Sequence, residues 1–357
     1  MTVIEWKPLP SRRKFQIPEE TINAILSMED QRMRADTLSL RNLSLFGIVG
    51  LLCMLLGGCG GGGSGSSGAV AGVQDATPGQ SAFWAVGLAS AEAVAFSNVA
   101  NSAGGLTGHY QNLSANQYCT SSGSGNDTLN GNSITISFQN CTATSNGSTL
   151  IINGSGSLTW TDQGSATCGS VNYPISGSTV TFSLTKFSAS STNPSGSIAG
   201  NGQVVVNVGS STCNSSSLVI PIEVSTPANS PFSGQLQVTS GSVNLNVSIS
   251  NLQIDEVVTS TTTSTGQTTT SITVKSGSYS INGVQYSFYS PQSQPITTNS
   301  NNISSNSISG GTLIITGPND NESIGFSSSS TGGALVTVTK NGTTVVTNEP
   351  LSTYMGL

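Results

Sequence analysis

The residues of this 357-residue chain best suited to covalent, acid–base or metal chemistry are few: six cysteines, one histidine and a scatter of carboxylates. His109 is the only histidine. A serine relay built on it needs a nucleophile elbow such as Gly-x-Ser-x-Gly between a strand and a helix, and no convincing one is present. His109-Tyr110 follows Gly104-Gly105 and Gly108, which predicts a solvated loop or strand start. The one adjacent carboxylate pair of the second half is Asp255-Glu256, and a strand would turn its two members to opposite faces, so a solvated strand end is expected rather than a glycosidase pair. Asp320-Asn321-Glu322 offers oxygen ligands of the kind calcium takes, yet it sits in a Gly-Pro-Asn-Asp-Asn-Glu sequence that reads as a polar turn. No catalytic residue, metal ligand set or cofactor site is assigned.

The cysteines carry more. Cys53 lies within an apolar run, and Cys59 closes it. Cys119, Cys141, Cys168 and Cys213 come later in the chain. CxxC spacing is absent and there is no second histidine, so a zinc site is disfavoured. An even number of cysteines in an exported chain reads as disulfides. Three connectivities are possible. Cys119–Cys141 with Cys168–Cys213 is preferred, because neighbours in a meander lie side by side.

Export is indicated by residues 41–59, RNLSLFGIVGLLCMLLGGC. Arg32, Arg34 and Arg41 precede an apolar stretch from Leu43 to Leu56, then small residues and a cysteine: the three parts of a secretory signal. The stretch is shorter than the roughly 20 residues of a spanning helix. Leu56-Gly57-Gly58-Cys59 resembles the lipobox of bacterial lipoproteins. The resemblance implies cleavage after Gly58 and acyl chains on Cys59 that hold the protein on a bilayer. Gly60 at the next position, rather than Asp, favours the outer membrane. Residues 1–32 are charged and remote from the apolar run and are expected to be a start-site extension, with translation beginning at Met33 or Met28. Residues 33–58 then form the signal peptide and 59–78 a Gly/Ser-rich tether.

Composition limits the possible partners. Only 7% of residues are charged, and residues 59–357 hold Lys186, Lys275 and Lys340 as their only cations against ten acids. Such a chain cannot neutralise a phosphate backbone, which argues against nucleic-acid partners. Residues 79–104 are Ala-rich, with Phe83, Val86, Val94 and Phe96 at helical spacing and Trp84 and Leu88 widening the face. This is the one convincing helix after the anchor.

Over 107–350 the period changes to two. Ile134/Ile136/Phe138, Val180/Phe182/Leu184, Leu218/Ile220/Ile222/Val224, Val284/Tyr286/Phe288 and many similar sets alternate with Ser, Thr and Gln. Turns are expected at Asn130-Gly131, Asn146-Gly147, Asn153-Gly154, Asn201-Gly202, Asn282-Gly283 and Asn341-Gly342. A parity change between Ile249 and Leu252 predicts a bulge at Ser250-Asn251. Thr259–Thr270, which lacks apolar residues, is expected to be a mobile hairpin tip, and Pro291–Asn306 a long surface loop.

The fold class is therefore mainly β: a single large antiparallel up-and-down meander of roughly 13 to 16 strands, curved or barrel-like, with one N-terminal Ala-rich helix across its concave face. The layout resembles a group of uncharacterised β-rich envelope lipoproteins through Phe138-Gln-Asn-Cys141-Thr, Gly311–Gly317 and the Val336–Val346 hairpin. The last hairpin has Lys340-Asn341-Gly342 where that group often carries an acidic turn, which removes any inherited case for calcium.

The functional expectation is a non-enzymatic, lipid-anchored envelope lipoprotein of the outer membrane, structural or binding, with the bilayer as one partner and polysaccharide or another envelope protein as the other. Three alternatives stand beside it: an acyl-chain or lipoprotein carrier with a helix-covered cavity, a surface adhesin, and a hydrolase with an unrecognised site.

Overall fold

The computed structural model describes residues 74–355, apart from the stretches 101–104, 112–113, 146–147, 170, 193–194, 241–242, 265–266, 300–307 and 331–332. The signal, Cys59, the tether and the Asn146-Gly147 turn therefore lie outside the described residues.

The chain enters through β1 (Gln74–Asp75) and passes directly into α1 (Pro78–Ala100). The start of α1 is written in four residues, Thr77-Pro78-Gly79-Gln80. Pro78 occupies the first helical position, where its missing N–H costs nothing. The backbone N–H of Gln80 donates to Thr77 Oγ1 at 3.2 Å, and that of Thr77 donates to Gln80 Oε1 at 2.7 Å, a reciprocal capping box. Two short helical pieces come next, α2 (Gly105–Tyr110) and a 3₁₀ turn at Ala115–Tyr118, so α1 is not alone among the helices. They bury Leu106, Tyr110 and Ala115, and near their starts the backbone N–H groups of Thr107 and Ala115 donate to the carboxylates of Asp162 and Asp127.

The strands are β2 (Ser122–Asn130), β3 (Ser133–Ser145), β4 (Ser148–Thr161), β5 (Ser165–Cys168), β6 (Val171–Pro174), β7 (Thr179–Thr192), β8 (Ser195–Val208), β9 (Thr212–Cys213), β10 (Ser217–Ser225), β11 (Phe232–Ser240), β12 (Val243–Thr263), β13 (Thr268–Ile281), β14 (Val284–Tyr289), β15 (Ile296–Thr298), β16 (Ile308–Thr316), β17 (Asn321–Ser328), β18 (Ala334–Lys340) and β19 (Thr343–Pro350), before α3 (Leu351–Tyr354). β5 and β6 form a separate hairpin; the others join one large, mainly antiparallel sheet.

More segments appear than the sequence predicts because three rows are interrupted. β10 and β11 lie end to end between β8 and β12, parted by the excursion 226–231. β14 and β15 lie end to end between β13 and β16. β9 continues β8 along β10. Counted as rows, the meander runs β2, β3, β4, β7, β8/β9, β10/β11, β12, β13, β14/β15, β16, β17, β18, β19, in chain order throughout. Among the described residues no register joins β2 to β19, and these two strands are the ends of the meander.

One pair is parallel. β1 lies beside Leu245 and Asn246 of β12, on the flank that β13 leaves uncovered because it pairs only from Ser250 onward.

Parity decides the core. Inward positions such as Ile134, Ile136, Val180, Val206, Ile222, Val247, Val274, Ile315 and Val336 are buried, while Ser, Thr and Asn face out. Val284, expected inside, is exposed at 40% because it opens the β13–β14 hairpin at the rim. α1 is apolar over most of its surface and packs on β6, β8, β10, β12, β13, β16 and β17. Phe83, Gly87 and Ala91 form one half-buried stripe along it.

Turn chemistry divides into two sets. Asn282-Gly283 (φ 49° and 81°) and Asn341-Gly342 (φ 49° and 81°) are left-handed pairs joining adjacent strands, as the Asn-Gly signal predicts. Asn153-Gly154 and Asn201-Gly202 are not turns. They lie inside β4 and β8, where Gly154 (φ 101°) and Gly202 (φ 129°) sit opposite bulges in the neighbouring strands, at the left-handed Asn140 of β3 and Lys186 of β7. A side chain on Gly154 would collide with the backbone of Lys186, so close approach is what requires glycine there. The expected bulge at Ser250-Asn251 is present: the β12–β13 register slips between Ser250 and Gln253, with Asn251 left-handed.

Two loop expectations are overturned. Thr259–Thr263 and Thr268–Thr270 belong to β12 and β13, whose residues pair across a short turn, and Thr270 is buried. β-Branched threonine suits a pleated surface even without apolar neighbours. Likewise Ile296–Thr298 of the supposed 291–306 loop is β15, with Ile296 and Thr298 in the interior.

Candidate functional site

The candidate residues of the sequence do not converge. Cys59 lies outside the described residues. Cys119 pairs with Cys141 and Cys168 with Cys213, the preferred connectivity, with Cα separations of 4.8 and 5.8 Å. The first ties the 3₁₀ turn to β3. The second ties the β5–β6 hairpin to β9.

His109 sits in the last turn of α2, half-buried, not in a solvated loop or strand start. Its neighbour Tyr110 explains why: that ring is fully buried against Trp160, centroids 5.1 Å apart, and pulls the segment inward. Burial, with a smaller contribution from Glu92, pushes the Tyr110 phenol far up.

Asp320 and Glu322 both face the Lys340 ammonium, at 3.0 and 3.7 Å, so a lysine occupies the place a cation would take. Glu322 has a second task. Its Oε2 accepts the backbone N–H of Gly79 at 2.9 Å, adding negative charge at the first turn of α1. Burial raises its pKa, and the Lys340 charge opposes that.

The largest departure concerns Asp255-Glu256. The pair lies in the middle of β12, not at a solvated end. Asp255 faces outward, 3.4 Å from Lys275, which also reaches Glu223 at 3.7 Å. Glu256 faces inward and is wholly buried. Its Oε1 accepts the Ser90 hydroxyl of α1 at 2.9 Å, while Oε2 has no partner among the described residues. Burial pushes the Glu256 carboxyl up to about 8; the Ser90 bond lowers it and the Asp255 charge raises it slightly. A signal for this was present: Leu252, Ile254, Glu256 and Val258 share one parity, and the other three are apolar.

On the same inward rows, one step further along, lies a cavity of about 220 Å³. Its floor is Leu218, Ile220 and Ile222 of β10, Val258, Ser260 and Thr262 of β12, and Thr268 and Thr270 of β13. Register aligns these: Ile222 opposes Val258, Ile220 opposes Ser260 and Leu218 opposes Thr262, while Thr262 opposes Thr268. Its roof is Ala93, Val94 and Ser97 of α1, which with Ser90 fall at i, i+3, i+4 and i+7 and so share one helical face.

The cavity is thus a slot along the strands. Its inner end stops at the rung of Val224 and Glu256, where Ser90 closes the helix onto the sheet. Its outer end is ringed by Thr262, Thr268 and Val171 of β6. Val171 is 37% exposed and its hairpin is fastened by Cys168–Cys213 to the residue opposite Leu218.

No family model matches the chain, and neither the curated proteins nor the solved structures contain a match.

Proposed function

We propose that this protein is a lipid-anchored bacterial envelope lipoprotein, tied to the outer membrane through acyl chains on Cys59, whose exported part is a non-enzymatic binding or structural shell. The observation that carries the reading is the pairing of all four cysteines of the described region in two disulfides behind a lipobox-like Leu56–Cys59. Closed cystines belong to oxidising compartments, and a signal ending in cysteine is the route there.

The non-enzymatic part is supported by where the reactive side chains are spent. Asp255 pairs with Lys275, Glu256 holds Ser90 of α1, Glu322 caps the start of α1, and His109 belongs to a short helix anchored by Tyr110. Each has a structural partner of its own, on three elements: β12, β17 and α2. The charge-poor Ser/Thr/Asn exterior suits hydrogen bonding to polysaccharide or to another envelope protein.

The test is intact mass with metabolic palmitate labelling in a bacterial host. A mature chain beginning at Cys59 with lipid mass is expected, and Cys59→Ser should abolish the label. A native chain that begins upstream of Cys59 without lipid overturns the reading. A carrier role is the second reading, and the observation in its favour is the helix-covered slot.

A further inference from the structure

The slot has properties that together specify a ligand class. Its length comes from the strands: Leu218 to Ile222 spans about 14 Å at 3.4 Å per residue. The cavity, about 220 Å³, is drawn out along that length between one helix and the paired rows of β10, β12 and β13, a shape that an extended chain follows. An apolar cavity of about 150 Å³ already holds benzene, so this volume is large enough to be occupied.

The wall chemistry is graded. Ala93, Val94, Ile222 and Val258 surround the inner part, Ile220 shares the middle rung with Ser260 and Thr270, and the outer end carries Leu218 with the hydroxyls of Ser97, Thr262 and Thr268. Every residue lining it is uncharged. The floor is fixed by strand register and the roof by the Ser90–Glu256 bond, so the space does not depend on a loop.

We infer that this slot is a binding site for an uncharged single-chain amphiphile, taken tail-first, with its alkyl chain between α1 and the β10–β12–β13 floor and its hydroxyl-bearing head among Ser97, Thr262 and Thr268. The disulfide-held β5–β6 hairpin forms one lip of the mouth through Val171. The site rests on the proposed binding role and gives it a ligand, and it stands apart from the anchor. A missing lipid on Cys59 leaves the slot intact, and an empty slot leaves the anchor intact.

The experiment uses the mature chain from position 59 with Cys59→Ser, so that neither acyl chains nor the apolar run Leu43–Leu56 calls for a competing detergent. Calorimetric titration with straight-chain 1-alkanols from hexanol to dodecanol is expected to give one site per chain. Affinity should rise about fourfold per added methylene, the equivalent of burying one CH₂, and then level off once the slot is full. Alkyl sulfates and alkyl trimethylammonium salts of the same length should bind at least about tenfold more weakly, the cost of placing a charge among uncharged walls. Ser260→Phe, on the slot floor, should abolish binding while the thermal transition persists. If that variant does not fold, Ser97→Phe at the roof makes the same test. Absence of saturable binding, affinity that climbs without a plateau, equal binding of the charged heads, or full binding by a folded Ser260→Phe or Ser97→Phe chain would each overturn the proposal.

Discussion

Glu256→Gln isolates the energetic cost of the buried carboxyl beneath α1. The substitution keeps the shape and the oxygen that accepts the Ser90 hydroxyl, and it removes the titration. An exposed glutamate titrates near 4.5, whereas burial moves Glu256 to about 8 in the folded chain. Between those values the unfolded chain releases a proton that the folded chain keeps. Folding stability is therefore undiminished below pH 4.5 and falls as pH rises, until the folded group itself ionises near 8. At about 1.36 kcal/mol per pH unit, the loss from about pH 5 to about pH 8 is on the order of 4 kcal/mol. For a chain of this size that corresponds to roughly 8 °C in Tm. Glu322, whose pKa is also raised by burial, acts in the same direction but is retained in the variant.

Urea denaturation at intervals of one pH unit across that range, with disulfides intact, reads the effect. The parent should weaken steadily across the series. Glu256→Gln should be close to the parent at the acid end and clearly more stable at the alkaline end. A parent whose stability does not change over that range, or a variant with the same slope, would refute the reasoning.

Three further outcomes rest on other contacts. Thr77→Ala removes one half of the capping box at the start of α1 and should cost about 1 kcal/mol, measured by chemical denaturation; Thr77→Ser should restore most of it. Gly277→Ala drives a methyl group into the buried Phe288 ring across the β13–β14 pair, so about 1–3 kcal/mol of overpacking should appear as a lowered Tm. Replacing Cys119 and Cys141 together by serine should cost about 3 kcal/mol, and Cys168 with Cys213 about 4 kcal/mol, in the chain-entropy model. Loop closure over separations of 22 and 45 residues sets that order, and a reversed order in denaturant midpoints would contradict it.

Much of the fold was legible because its signals are local. Alternation with period two marks each strand, and left-handed Asn-Gly pairs mark the hairpins at 282–283 and 341–342. The Ala-rich run of α1 is apolar over most of its surface, which already requires most of it to be buried, and only the Phe83–Gly87–Ala91 stripe is half-buried. The cystine pairing was anticipated from the nearness of successive rows, but the structure reaches it by another route, since Cys119 follows a 3₁₀ turn and Cys168 lies in a hairpin outside the main sheet. Asn-Gly, however, does not always turn the chain. At Asn153-Gly154 and Asn201-Gly202 the strand runs on, because alternation continues on both sides, and the glycines lie opposite bulges in the neighbouring rows. The threonine tract departs from its expected loop for a related reason: pairing across β10, β12 and β13 orders it without any apolar side chain of its own.

Composition and periodicity by themselves determined a charge-poor antiparallel meander with one buried helix, and the lipobox-like segment set the expectation of an anchored, oxidised envelope protein. Those are properties of single strands and short motifs, in which each residue is judged against near neighbours. The tertiary structure alone decided that Glu256 looks inward to Ser90, that β10, β12 and β13 bring Leu218, Thr262 and Thr268 to one end, and that α1 leaves a slot above them. Those relations join residues as far apart as Ser90 and Glu256, 166 positions along the chain, through strand register and helix docking. They are fixed by where surfaces meet, not by what any one segment prefers.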